Sequence, residues 1–384
     1  MRDFTYSNKT CVHFGQGCVG RDLPALLSNY GPNVMLAFGG GSIKKNGVYD
    51  EVISILGAAS KNVTEFSGIM PNPTYAKVQE GAELARANDV NLILAVGGGS
   101  VSDCCKAISA QAKLDRDIWD FEKVDHGSPT EFIPLVTVVT VFGTGSEMNA
   151  GGVIAHEEKK VKGPIWGAQA DHAFLDPSYT MSVPFGQVIS GAFDTLSHAM
   201  ETYLDAQPHN NLSDDINEAL MRSVIRNIRA LLADHDDYEA RGELAWASAM
   251  AENGILKIGK LTGFECHMIE HQLGAYSSCN HGAGLAVIHP RLYRHIYKEA
   301  LGRFARWARN VWGVAEKDDE AAALAGINAL EGFVKEIGLP ATFAELGIPA
   351  DTDLRAVANS TVVVPGCPKQ LTSDEIYRIL LECR

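Results

Sequence analysis

Asn91-Leu-Ile-Leu-Ala-Val-Gly-Gly-Gly-Ser100 decides how the first half of the chain folds. The unbroken apolar run behind Asn91 predicts a strand buried on both faces, as in a parallel sheet. The triple glycine that ends it predicts a tight turn out of the strand and into a helix. The same arrangement recurs on either side. Residues 33–38 form a short apolar run ending at Gly39-Gly-Gly-Ser42, and residues 133–140 form another ending near Gly143-Thr-Gly-Ser146. Residues 10–14 and 63–66 are further candidate strands, the second followed by Pro71-Asn-Pro73. Helical spacing is expected around 22–27, over 49–58 and over 74–88, with Thr74 placed to cap the last. Strands that alternate with helices imply a mostly parallel, three-layer sheet.

In such sheets ligands bind beyond the carboxyl ends of the strands, and all three glycine-rich loops fall there. Glycine lets a pyrophosphate approach the backbone, while the following helix presents unpaired amides and a positive dipole. One loop of this kind is ordinary turn chemistry; three in one sheet favour a phosphate-bearing ligand. Neither triple-glycine loop fits G-x-G-x-x-G, because the sixth positions are Lys44 and Ser102, and the P-loop pattern is also missing. The first loop bears on which nucleotide. An acid at the end of that strand would hydrogen-bond the ribose of NAD, but Gly39 stands there, followed by Ser42, Lys44 and Lys45. A hydroxyl and ammonium groups suit a 2′-phosphate, so NADP is expected over NAD. On the residues alone, a solvated helix start explains the two lysines as well.

Met181-Ser-Val-Pro184 marks a change of regime, with Pro184 suited to the first turn of a helix. From Phe185 onward apolar residues recur at helical spacing through 194–203, 215–232, 239–254, 292–311 and 318–337. Strand-like runs shrink to 285–288 and 361–364. Two domains are expected, an α/β domain over 1–182 and an all-helical domain over 183–384. Within the second, Asp194 and His198 are four apart, as are His267 and His271. That spacing stacks side chains on one helix face. His281 follows ten positions later beside glycines. A carboxylate and several imidazoles from two helices and a loop are the ingredients of a divalent metal site. With twelve His in the chain, any one of them taken alone reads equally as a surface or core residue.

Length and composition agree with this picture. At 384 residues there is room for two cores, and 46% hydrophobic with 21% charged residues reads as soluble and globular. The net charge of −14 argues against nucleic acid or an anionic membrane as the main partner. It leaves room for an anionic cofactor held by local amides and lysines. Eight Cys without a C-x-x-C pair suggest a reducing compartment. Residues 1–10 are polar, and no apolar run is long enough to span a bilayer. A cytoplasmic protein is the expectation.

Taken together, Gly97-Gly-Gly-Ser-Val-Ser-Asp103, Gly143-Thr-Gly-Ser-Glu147, Leu175-Asp-Pro177, Asp194-x-x-x-His198, His267-Met-Ile-Glu-His271 and His281-Gly-x-Gly284 resemble the iron-containing (group III) alcohol dehydrogenases. Within that family they resemble the NADPH-dependent butanol dehydrogenase and aldehyde reductase branch, over nearly the whole chain. The resemblance implies an α/β dinucleotide-binding domain and an all-α domain in a dehydroquinate synthase-like architecture, with a metal in the cleft between them. It implies Asp194, His198, His267 and His281 as ligands of one divalent ion, Fe(II) or Zn(II), and His271 as a proton relay. It implies cofactor contacts from Gly97, Gly98, Gly99, Ser100 and Asp103, and from Asn72, Thr140, Thr144 and Lys162. The first glycine loop adds Gly39, Gly40, Ser42 and Lys45. The stretch around Lys162 departs from the family by being short before Leu175. The expected activity interconverts primary alcohols and aldehydes with NADP(H). The expected partner is the alcohol or aldehyde itself, with a homodimer open as an assembly. Rival readings are an NAD-linked glycerol or polyol dehydrogenase of the same superfamily and, in another class, a metallohydrolase.

Overall fold

A parallel sheet organises the first half of the chain. In chain order the strands are β1 (Cys11–Phe14), β2 (Asn33–Phe38), β3 (Asn62–Phe66), β4 (Leu92–Gly97), β5 (Leu135–Val139), β6 (Gly151–His156), β7 (Val161–Trp166) and β8 (His172–Leu175). Six of them form the sheet, in the spatial order β1-β8-β5-β4-β2-β3, while β6 and β7 pair separately. Every neighbouring pair in the six-stranded sheet is parallel. The computed structural model describes residues 2–206, 210–277 and 279–384. The chain divides into two compact units, one of Asn8–Val183 and the other of Pro184–Arg384 with the first few residues.

The apolar runs of β2 and β4 are explained by cover on both faces. Met35, Ala37, Ile93 and Ala95 join one buried cluster, while Val34, Leu36, Phe38, Leu92, Leu94 and Val96 join another. Successive residues point to opposite faces, so a strand with helices on both sides has no polar alternation left.

Because β5, β4 and β2 are adjacent, the three glycine loops lie side by side along one edge of the sheet. Thr140 N donates to Gly97 O at 3.0 Å, linking two of them. A Cβ on Gly99 would come within 2.3 Å of Thr144 Oγ1, so only glycine fits there. Gly41 has φ 95°, a left-handed conformation that glycine adopts without strain.

The stretch after β5 holds what the sequence pattern hid, the antiparallel hairpin of β6 and β7. Its backbone presses on the helix Gly99–Gln111. A Cβ on Gly152 would lie 2.5 Å from Asp103 O, and one on Gly167 2.0 Å from Lys106 O. Lys106 is fully buried, and its Nζ donates to Ser146 Oγ, Asn149 Oδ1 and Gly151 O, each at 2.8 Å. The third glycine loop is thereby fastened to the helix that follows the second.

The second unit is built from helices, chiefly Phe185–Tyr203, Leu212–Ala233, Tyr238–Glu252, Glu265–Ser277, His281–Ile296, Leu301–Trp312, Asp319–Glu336 and Ser373–Glu382. Three sequence expectations differ here. The apolar run 285–288 is helical, inside His281–Ile296; each of its residues is fully buried, so no polar face marks the helical period. Residues 361–364 form no strand, and the nearest pairing is an isolated bridge between Pro365 and Cys367. The stretch 292–311 is two helices joined by the 3-10 turn Tyr297–Ala300. Pro184 stands at the cap position before Phe185, where its missing N–H costs nothing. Among the described residues no helix is long and apolar enough to cross a membrane.

Candidate metal centre

One face of the helix Phe185–Tyr203 carries Asp194, His198 and Glu201, at i, i+4 and i+7. The helix Glu265–Ser277 carries His267, Glu270 and His271. His281 opens a third helix, whose cap residue Asn280 accepts from Ala283 N at 3.1 Å. Glycine lets that third helix approach the first. A Cβ on Gly282 would meet Ser190 O at 2.1 Å.

These elements converge on one oxygen. Asp194 Oδ1 lies 3.9 Å from His198 Nε2, 3.4 Å from His267 Nε2 and 3.5 Å from His281 Nε2. Two ligands bonded at about 2.1 Å to one tetrahedral ion stand about 3.4 Å apart, so the spacing suits a shared cation. Asp194 Oδ1 and His267 Nε2 are buried without a hydrogen-bond partner. An unsatisfied buried polar atom costs roughly 1–3 kcal/mol, and a cation among these donors would satisfy both.

Two carboxylates outside the cluster aim the rings. Glu201 accepts from Cys266 N at 2.5 Å and His267 N at 3.1 Å, and its Oε2 also meets His267 Nδ1. Glu270 Oε2 meets His281 Nδ1. In both histidines one ring nitrogen is held by a carboxylate and Nε2 is left facing Asp194, the arrangement typical behind metal-ligating imidazoles. Neither glutamate was singled out in the sequence. The signal was there, since Glu201 lies three beyond His198 and Glu270 three beyond His267, each on its neighbour's helix face.

The charges are strongly coupled. Burial opposes ionisation of Asp194, but His198 and His281, then His267, outweigh it and hold the carboxylate well below its ordinary range. For His267 burial disfavours the proton, yet Glu201 and Asp194 together push it up to about 10. Burial lowers His198 despite the nearby Asp194. The pocket thus concentrates negative potential, with Glu201 also kept ionised against its burial by His267.

His271 adjoins the cluster without sharing its centre. Its ring stacks on His281 at 5.4 Å and meets His267 edge-on at 5.9 Å. Its donor atoms group with those of Glu270 and His281, whereas Asp194 groups with His267 and His281. His198 stacks on His267 at 4.5 Å.

The expected cofactor contacts lie in the other unit. Gly39 and Gly40 follow β2, with Ser42 and Lys45 in the short helix Ser42–Lys45. Gly97 ends β4, Gly98 caps the next helix, and Gly99 and Ser100 open it with amides that have no acceptor inside the helix. Thr140 and Thr144 follow β5, and Asn72 takes a left-handed φ of 55° in the loop after β3. Two candidates stand apart from this strand-end row. Asp103 accepts from Ser146 Oγ and Val153 N, bracing the hairpin. Lys162 is buried on β7, opposite Ala155, on the hairpin and not on a strand-end loop. Both Lys44 and Lys45 are exposed, but Lys44 has its Nζ 3.0 Å from Glu65 Oε2 and over the Tyr49 ring.

Comparison with known proteins covers both units. A family model described as iron-containing alcohol dehydrogenase matches residues 9–177, and one described as the C-terminal region of the Fe-containing alcohol dehydrogenase family matches residues 188–383. The chain is 37% identical over 390 residues to NADH-dependent butanol dehydrogenase A of Clostridium acetobutylicum, covering 99% of each. It is 31% identical over 355 residues to the NADPH-dependent aldehyde reductase YqhD of Escherichia coli, covering 91% of this chain and 90% of that one. Among solved structures, NADH-dependent butanol dehydrogenase A of Thermotoga maritima superposes with a TM-score of 0.94 at 32% identity, covering 100% of this chain and 99% of that one.

Proposed function

Because the chain belongs to the iron-containing alcohol dehydrogenase family, we propose that it interconverts primary alcohols and aldehydes by hydride transfer with NADP(H). The observation that carries this reading is the pair of orphaned atoms, Asp194 Oδ1 and His267 Nε2, on which His198 and His281 also close. Asp194, His198, His267 and His281 would hold one divalent ion, Fe(II) or Zn(II). Three neutral imidazoles and one carboxylate leave such a site a net charge of about +1. The ion supplies Lewis-acid polarisation of the substrate oxygen when bound, and the nicotinamide supplies the hydride.

The protein's own groups do the rest. Glu201 and Glu270 fix the two ring orientations, and their negative charge makes each imidazole a better donor. His271, next to His281, is the candidate to pass a proton between the substrate oxygen and solvent. In the α/β unit, the row Gly39, Gly40, Gly97, Gly98, Gly99, Ser100, Thr140 and Thr144, with Asn72 nearby in sequence to β3, would cradle the dinucleotide. Support for NADP over NAD is the absence of an acid at the end of β2, where Gly39 and Ser42 stand, with Lys45 exposed beyond them. Asp103 and Lys162 would act from behind this row.

A second reading, NADH as the working reductant, is favoured by relatives whose names specify NADH. One experiment tests the activity and separates the cofactors. Protein reloaded with iron or zinc is mixed with butanal and either NADPH or NADH, and the near-UV absorbance of the reduced nicotinamide is followed. Turnover with NADPH exceeding that with NADH is expected, and His267→Ala should lose both metal and turnover. Full activity in that variant would displace the metal site, and no turnover with either cofactor in the reloaded protein would remove the enzyme reading.

A further inference from the structure

A second cluster of donors lies far along the chain from Asp194, in the α/β unit. Strands β1 and β8 pair in parallel with Cys11 opposite His172 and His13 opposite Phe174. Cys11 and His13 are two apart, so they share a face of β1, and His172 lies beside them on the same face of the sheet. One donor atom from each of Cys11, His13 and His172 falls within 4.8 Å of the other two. His13 Nε2 and His172 Nδ1 are 3.0 Å apart. Two nitrogens bonded to one ion at about 2.0–2.1 Å in tetrahedral geometry stand about 3.3 Å apart, so this pair already has nearly the spacing of co-ligands.

The His13 ring is fixed in place. It stacks on buried Phe174 with centroids 4.4 Å apart and planes 11° from parallel. Its Nδ1 lies 3.1 Å from Asp22 Oδ2, and Asp22 is held by Arg21 through Nε and Nη2, each at 3.0 Å. A carboxylate on one ring nitrogen leaves the other as a lone-pair donor and aims it, as behind structural and catalytic metal ligands. Cys11 is exposed, which gives an ion a direct approach. A thiolate with two imidazoles selects a borderline-soft cation over magnesium or calcium.

We propose that Cys11, His13 and His172 form a second metal site, for a zinc-class divalent cation with a fourth position open to solvent or an added ligand. Without an ion, His172 Nδ1–H donates to His13 Nε2. On binding, that proton moves to His172 Nε2, the thiol proton leaves to solvent, and no electron is transferred. One proton is therefore released per ion bound.

Cobalt(II) is the probe. A sulfur-to-cobalt charge-transfer band in the near ultraviolet reports only a site that contains a cysteine, and the Asp194 cluster contains none. Holoprotein titrated with Co(II) should develop this band with one equivalent, and added Zn(II) should bleach it. Cys11→Ser should abolish the band, and His172→Asn should weaken binding at least tenfold. Asp22→Asn leaves every ligand in place, so it should keep the band while lowering affinity about tenfold. Far-UV circular dichroism and the melting temperature confirm that each variant folds. The proposal is overturned if the wild type gives no band, if the band survives Cys11→Ser, or if His13→Asn and His172→Asn both bind Co(II) like the wild type. None of these outcomes depends on whether the protein reduces aldehydes.

Discussion

Replacing Glu201 with Gln puts the support behind the Asp194 cluster to its sharpest test. Among the described residues, the hydrogen-bond partners of the Glu201 carboxylate are donors: Cys266 N, His267 N and His267 Nδ1. The glutamine side chain would keep the shape but bring an NH2 where one oxygen stood. At least one buried donor would then face another donor, which costs roughly 1–3 kcal/mol of folding stability. His267 would also lose the negative charge that holds its ring and strengthens its Nε2 as a ligand. Loss of such an outer partner typically weakens metal binding 10–100-fold, or about 1.4–2.8 kcal/mol at about 1.4 kcal/mol per decade. Glu201→Gln is therefore expected to lose its ion to a chelator at 10–100-fold lower chelator concentration than the wild type. The metal-free variant should also unfold at lower urea. The assay is metal content after dialysis against graded chelator, with urea melts of both metal-free proteins. Metal affinity within threefold of the wild type would refute the claim that Glu201 orients His267 for ligation.

Gly39→Asp should move the ratio of NADPH to NADH turnover toward NADH. A Cβ there would lie 3.2 Å from Ile69 O, so Gly39→Ala must be measured alongside to isolate the steric part; equal ratios in the two variants would show that charge at this position does not read the 2′-phosphate. His271→Gln should retain metal yet lower kcat and flatten its pH profile, whereas an unchanged profile would exclude proton relay through this ring. Asp214 anchors the helical unit, with Oδ1 2.5 Å from Lys260 Nζ and 2.7 Å from Arg303 Nη2. Its burial opposes ionisation, but Arg303 and Lys260 hold its carboxyl below the ordinary value. A depressed carboxyl stabilises the fold fully above the unfolded value of about 3.9 and loses that contribution as pH falls through the folded value. Urea melts should therefore show the wild type losing stability below about pH 4 more steeply than Asp214→Asn, which should already be about 3–5 kcal/mol weaker at pH 7; parallel curves over that window would contradict the linkage.

How much of this was legible in the sequence follows from what surrounds each element. The core strands β2 and β4 announced themselves because helices cover both faces, and the glycine turns because Gly41 and Gly99 occupy positions a side chain cannot. The hairpin of β6 and β7 did not, since Gly151, Gly152, Gly163 and Pro164 read as loop, and Gly152 answers to the helix Gly99–Gln111 beneath. The run 285–288 misled for the opposite reason: total burial erased the helical period and left a strand's composition. At the candidate site the same logic separates ligands from their supports. Asp194 with His198 and His267 with His271 stand out because two donors of metal-binding type at i, i+4 share one helix face. Glu201 and Glu270 do not stand out, because an acid three residues from a histidine is ordinary helix-surface chemistry until the face is known to be buried. Burial is what changes their meaning. An ionised carboxylate inside the protein needs partners, and each of these two has a histidine Nδ1 as one of them. Their charge and the vacated Nε2 direction are then two aspects of one constraint, by which the helices fix the ring orientation before any ion arrives.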